Sequence, residues 1–172
     1  NTIQTKTYVA NGYKKIGVKG SPIDCVKIAT HEHSFDLCIS GPNIGSNHGS
    51  SYIFSGTICA AIFASWQNIP SIALSSFRQA PHYEYLEKIC AKLIKQPINY
   101  NVLSINTPQT KKIEGIKTVP LGKFYFGNLM VHQGNGIWNV CNKEEVVSEN
   151  TDTYWLEKGY ATMTNINLTL NH

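Results

Sequence analysis

The chain has 172 residues, 42% of them hydrophobic and 15% charged, with a formal net charge of +4 at pH 7. That is material for one globular domain with a sizeable core. Fourteen of the fifteen basic residues are scattered lysines and Arg78 is the one arginine, which speaks against a nucleic-acid groove, and no apolar run approaches the roughly 20 residues of a membrane span.

Residues 3–19 alternate loosely between apolar and polar and predict one or two strands with a turn at Asn11-Gly12. In GSPIDCVKIATHEH, Ser21 can cap a helix, Pro22 suits its first position and Asp24 faces the positive helix end. Ile23, Val26 and Ile28 are its expected buried side. Residues 35–39 (FDLCI) are short and apolar, as expected of a strand covered on both faces. A polar stretch follows, and residues 57–67 then have the length and apolar stripe of a helix. Pro70 precedes a buried strand at residues 71–76. Helical spacing returns at residues 82–96 through Tyr85, Leu86, Ile89, Cys90, Leu93 and Ile94, and residues 100–106 read as the next strand. Strand, helix, strand, helix, strand predicts an α/β fold: a mostly parallel sheet with helices on both faces.

From Ile116 the pattern changes. Turn signals at Gly122, Gly127 and Gly134 to Gly136 alternate with Phe124, Tyr125, Phe126 and Trp138, which predicts a β-hairpin arm. A short helix near residues 153–158 and a strand at 160–165 close the chain. The expected division is one domain over residues 1–172, with the α/β core at 1–122 and the hairpin arm and C-terminal element at 123–172. Five cysteines (Cys25, Cys38, Cys59, Cys90 and Cys141) form no CxxC pair, and four sit in apolar company. Reduced thiols of a cytoplasmic protein are expected over a disulfide framework.

SGPNIGSNHGSSYIFSGT (residues 40–57) is long for a plain strand-to-helix connection. In an open parallel sheet, ligands bind where strands end and such loops begin. Gly41, Gly45 and Gly49 allow close approach of the backbone and positive φ. Ser55, Gly56 and Thr57 would offer an anion backbone N–H groups, two hydroxyls and a positive helix end, with phosphate the natural guest. Asn43 and Asn47 carry neutral carbonyl oxygens, which suit hard cations such as magnesium or manganese. The stretch matches neither GxxxxGK[ST] nor GxGxxG. A serine N-cap after a surface loop, with asparagines in turns, accounts for the same residues. Residue type and spacing reach an anion, with or without a metal, and stop there.

Five blocks carry more: GSPIDCVKIA (20–29), FDLCISGPNIGSN (35–47), SGTICAA (55–61), IPSIALS (69–75) and TDTYWLEKGYATMTNI (151–166). In order and spacing they resemble the SurE survival-protein family, and the SGPN form with aliphatic Ile44 resembles its eukaryotic and fungal branch. The resemblance implies a divalent-metal-dependent phosphatase of nucleoside monophosphates, of the 5'-/3'-nucleotidase or acid phosphatase type. It implies a Rossmann-like fold and a homodimer or homotetramer built by hairpin and C-terminal exchange. It assigns Asn43 to the metal, Mg2+ or Mn2+, and Gly45, Asn47, Ser55, Gly56 and Thr57 to the loop and helix start around the phosphate. Asp24 and Cys25 fall in a structural block; Thr151-Asp152 and Gly159-Tyr160 fall in a C-terminal block of positional value. The family's first strand ends in an Asn-Asp-Asp-Gly motif that this sequence lacks. Its aspartates are expected before Asn1, which leaves the catalytic residues unknown.

Two function classes stay open on this reading. One is the metal-dependent nucleotide phosphatase; the other is a non-catalytic binding or oligomerisation module that keeps the fold without the aspartates. The histidines decide nothing between them. His31 and His33 stand at a helix end, His48 lies in the loop but matches no family ligand, and His82, His132 and His172 lack partners at ligand spacing.

Overall fold

The computed structural model describes residues 2–167, and for residues 124–131 and 138–146 the description is of the backbone alone. Strands β1 (Gln4–Ala10) and β2 (Tyr13–Lys19) form an antiparallel hairpin. Asn11 and Gly12 both take positive φ, 53° and 77°, the tight turn whose twist matches the strands it joins. Helix α1 (Pro22–Glu32) starts as expected at Ser21, through a full capping box. The Asp24 carboxylate accepts from Ser21 N at 2.9 Å and Ser21 Oγ at 2.7 Å, while Ser21 Oγ accepts from Asp24 N. The hydrogen bond from the Ser21 side chain holds the Asp24 carboxyl below its ordinary pKa.

Strand β3 (Cys38–Ile44) corrects two expectations. It begins three residues after Phe35 and runs through SGPNI, so the connecting loop proper starts at Gly45. It is also not covered on both faces: Phe35, Ile39 and Ile44 are exposed. The reason is pairing. Among the described residues β3 has a neighbour on one side alone, β4 (Ser71–Ser76), and is the edge of the sheet. Helix α1 shares that fate. It packs against α2 (Gly56–Trp66), yet Ile23, Val26 and Ile28 stay half-buried, and an apolar groove lined by Val26, Ala29, Phe35, Leu37 and Ala64 runs beside it.

The sheet is ordered β3-β4-β5-β9-β6, with β5 at Val102–Asn106, β6 at Ile116–Thr118 and β9 at Ala161–Asn165. Strands β3, β4 and β5 are parallel, β9 is antiparallel to β5, and β6 is parallel to β9. Every residue of β4 and β5 is buried, as expected of central parallel strands. Helix α3 (Tyr83–Leu93) covers one face: Leu86 and Cys90 meet Ile72, Leu74, Leu103 and Ile105. Helix α2 covers the other, where Ile58 and Ala61 meet Ala73, Val102 and Ile166. Each fully buried aliphatic side chain contributes about 1.5–3 kcal/mol.

Strands β7 (Lys123–Gly134) and β8 (Ile137–Val146) pair into the expected hairpin, turned at Asn135-Gly136. The side chains of Phe124, Tyr125, Phe126 and Trp138, expected at a subunit interface, lie outside the described residues. Helix α4 (Asp152–Glu157) then leads into β9. A division at residue 122 does not follow the sheet: β9 sits between β5 and β6, and Ile166 belongs to the core. Cys25, Cys38, Cys59 and Cys90 are free thiols, and burial pushes those of Cys38 and Cys90 above their ordinary pKa. No helix among the described residues is long and apolar enough to cross a membrane.

Candidate functional site

Parallel strands bring their carboxyl ends to one side of the sheet. There Asn43 lies beside Ser75, Ile44 beside Ser76, and Ser75 beside Asn106. The loop after β3 crosses this row and is tied to it. Gly45 N donates to Ser76 O at 2.7 Å. Asn47 N donates to Asn106 Oδ1 at 2.7 Å, and Asn106 Nδ2 returns a bond to Asn47 O at 3.2 Å. The Asn47 side-chain amide donates to Ser75 Oγ at 2.8 Å. Both asparagines are buried, so the loop is fixed to the strand ends by its own backbone polar groups.

Beyond Asn47 the chain makes a 3-10 turn (Gly49–Phe54) and reaches Ser55, the N-cap of α2. Ser55 is buried and its Oγ accepts from Ile58 N at 3.2 Å. The N–H groups of Gly56 and Thr57 precede the first intrahelical bond, and Gly56 is exposed. The positive end of the helix dipole and two N–H groups without an intrahelical acceptor lie here, a combination suited to holding a phosphate. The glycines behave as expected, with positive φ at Gly41, Gly45 and Gly49.

Asn43 is half-buried, and its Nδ2 donates to Gly45 O at 2.9 Å. That bond orients the side chain, and among the described residues Oδ1 has no donor, a neutral oxygen of the kind hard divalent cations take. The fit is to part of a ligand set. Among the described residues no three His, Cys, Asp or Glu side chains stand together in a way that could hold a metal ion.

His48 is buried, its Nδ1 is 2.8 Å from Ser46 Oγ, and its ring lies 6.0 Å from that of Phe77. His82 is engaged elsewhere, with its ring Nε2 2.7 Å from Thr110 O and its backbone N–H on Ser76 Oγ. Sequence reasoning missed Ser75 and Asn106 as loop anchors; the available signal was polar residues closing two otherwise apolar strands. It also undervalued Asp152. That side chain is fully buried and accepts from the N–H groups of Gly49 at 2.8 Å, Gly122 at 2.6 Å and Thr153 at 2.8 Å.

The family described as survival protein SurE matches residues 1–128. A protein named 5'-nucleotidase SurE from Campylobacter jejuni is 35% identical over 173 residues, covering 88% of this chain and 67% of that protein. Another of the same name from Desulfitobacterium hafniense is 30% identical over 159 residues, covering 86% of this chain and 63% of its own. The crystal structure of the SurE protein from Aquifex aeolicus superposes with a TM-score of 0.76 at 27% identity, over 98% of this chain and 75% of that one. With its blocks in family order, its sheet superposable and its glycine-rich loop closing on a serine-capped helix, the chain belongs to the SurE survival-protein family.

Proposed function

We propose that this protein is a phosphoric monoester hydrolase acting on nucleoside monophosphates, and that it works with a divalent cation in the cytoplasm. One observation carries the reading. The loop after β3 is tied to the carboxyl ends of β4 and β5 and leads into α2, whose N-cap is Ser55 and whose first residue, Gly56, is exposed. The names and identities of the relatives support the same substrate class.

In this mechanism the helix end holds the phosphate: amide donors and dipole offset its charge, and they are most useful where charge grows on the phosphoryl oxygens. Gly45 brings the loop backbone close to the substrate. Asn47 acts through position, because its backbone and amide donors are committed to Asn106 and Ser75. Asn43 Oδ1 would be one ligand of magnesium or manganese, and the cation, when bound, supplies Lewis-acid polarisation and an activated water. Hydrolysis breaks the P–O ester bond, leaving the water oxygen on phosphate and a proton on the nucleoside hydroxyl.

The test is phosphate release by the purified protein from 5'- and 3'-nucleoside monophosphates, with Mg2+ or Mn2+ and after chelation. Release that stops on chelation and returns with the cation is expected. Full release with chelator present would refute the metal mechanism. The second reading, a binding module that does not turn over, draws on the partial ligand set among the described residues. Nucleotide binding without any phosphate release under all metal conditions would decide for it.

A further inference from the structure

Asp152 joins three stretches of chain that are distant in sequence. Its Oδ2 accepts from Gly49 N, 103 residues away, and its Oδ1 accepts from Gly122 N and Thr153 N. All three partners are donors, the complement that a carboxylate requires. Gly49 opens the 3-10 turn that delivers Ser55 to the head of α2. Gly122 is the last residue before β7, the first leg of the hairpin. The return leg is tied to the same point: Thr151 Oγ1 donates to Ser148 O at 2.6 Å and shares a 2.9 Å bond with Thr153 Oγ1, and Asp152 N donates to Pro120 O at 3.0 Å. Strand β7 also lies against the 3-10 turn. Both ends of the hairpin and the turn before the phosphate-holding helix therefore meet at one buried carboxylate.

The packing at this point has no slack. A Cβ on Gly122 would lie 2.2 Å from Thr153 Oγ1 and 3.1 Å from both Asp152 Oδ1 and Thr151 Oγ1. Any side chain at position 122 has to push the carboxylate or its neighbours aside.

We infer that Asp152 is a positioning residue for the phosphate site, and that through Gly49 and Gly122 it couples the hairpin arm to the loop that delivers Ser55–Thr57. This rests on the phosphatase reading for the identity of the ligand, and not for the coupling itself. Asp152→Asn is a selective probe. An amide keeps one acceptor oxygen, which serves two N–H groups at the Oδ1 position, and sets an NH2 group against Gly49 N. The bond to the loop is the one that breaks.

The experiment is amide hydrogen exchange combined with inorganic phosphate binding, on wild type, Asp152→Asn, Gly122→Ala and the core control Leu86→Ala. The expected result is exchange about tenfold or more faster at Gly49 and through residues 49–55 in both site variants, with phosphate affinity about tenfold or more weaker. Protection in β4 and β5 is expected to hold. Leu86→Ala, which loosens the core around α3, should lower global stability and leave phosphate affinity unchanged. Unchanged Gly49 exchange and phosphate affinity in both site variants would overturn the inference. So would a loss of affinity matched by Leu86→Ala, because the effect would then be stability alone. If Asp152→Asn does not fold, Gly122→Ala decides the question with the carboxylate chemistry intact. Neither readout needs turnover: phosphate binding with faster Gly49 exchange but no hydrolysis would refute the phosphatase and leave the coupling standing.

Discussion

Replacing Asn106 with alanine removes three bonds at once: the acceptor for Asn47 N, the donor to Asn47 O and the donor to Ser104 Oγ at 3.3 Å. Asn106 is 2% exposed and Asn47 8%, so water does not readily replace what is lost. The substitution leaves one backbone donor and one backbone acceptor of Asn47 buried without partners. Each such group costs about 1–3 kcal/mol, which together makes about 2–6 kcal/mol. A domain of this size has about 5–15 kcal/mol in total, so the variant should fold but with a large loss. The loop can recover part of the cost by lifting Asn47 into solvent, and that movement would carry it away from its proposed place beside the substrate. Equilibrium urea unfolding measures the loss, and phosphate release from a nucleoside monophosphate measures the movement. An unfolding free energy within 0.5 kcal/mol of wild type would refute the reasoning, since about 0.5 kcal/mol is what an ordinary surface substitution costs.

Asn43→Ala should weaken apparent Mg2+ or Mn2+ affinity by roughly ten- to hundred-fold with the urea midpoint unchanged; equal activity at low metal would sink the ligand assignment. The protein should be a homodimer or homotetramer by light scattering, and polar replacement of Phe124 and Phe126 together should shift it toward monomer. A monomer at micromolar concentration, or a doubly substituted protein with its assembly intact, defeats that expectation. Thr164 is 2% exposed, and Thr164→Val removes a buried hydroxyl that has no partner among the described residues. It should stabilise the fold by about 1 kcal/mol in thermal or urea unfolding, and a loss of that size would mean the hydroxyl is satisfied after all. Asp24 is held below its ordinary pKa by Ser21. Its contribution is therefore present above that ordinary value and is lost as pH falls through the lowered folded one. Ser21→Ala should move the Asp24 titration upward in an NMR pH series, and an unmoved curve would contradict the capping-box account.

Local rules were enough wherever a segment's neighbours in sequence supply its partners. The Ser21–Pro22–Asp24 cap, the Asn11-Gly12 and Asn135-Gly136 turns, the helical stripe of α3 and the buried run Ser71–Ser76 all fall in this class. Each is set by a periodicity, a capping side chain or a residue that tolerates positive φ. The family blocks likewise brought out the loop and its serine-capped helix. Three things needed the tertiary structure. Strand β3 reads as buried because its residues are apolar, but burial depends on having a neighbour on each side, and β3 is an edge among the described residues. The last strand reads as an appendage because it comes after the hairpin, yet it enters the sheet between β5 and β6. The third is the work of Asn106 and Asp152. Their bonds reach across 59 and 103 residues to single backbone amides of the loop, and a backbone amide carries no residue-specific mark that a sequence could show.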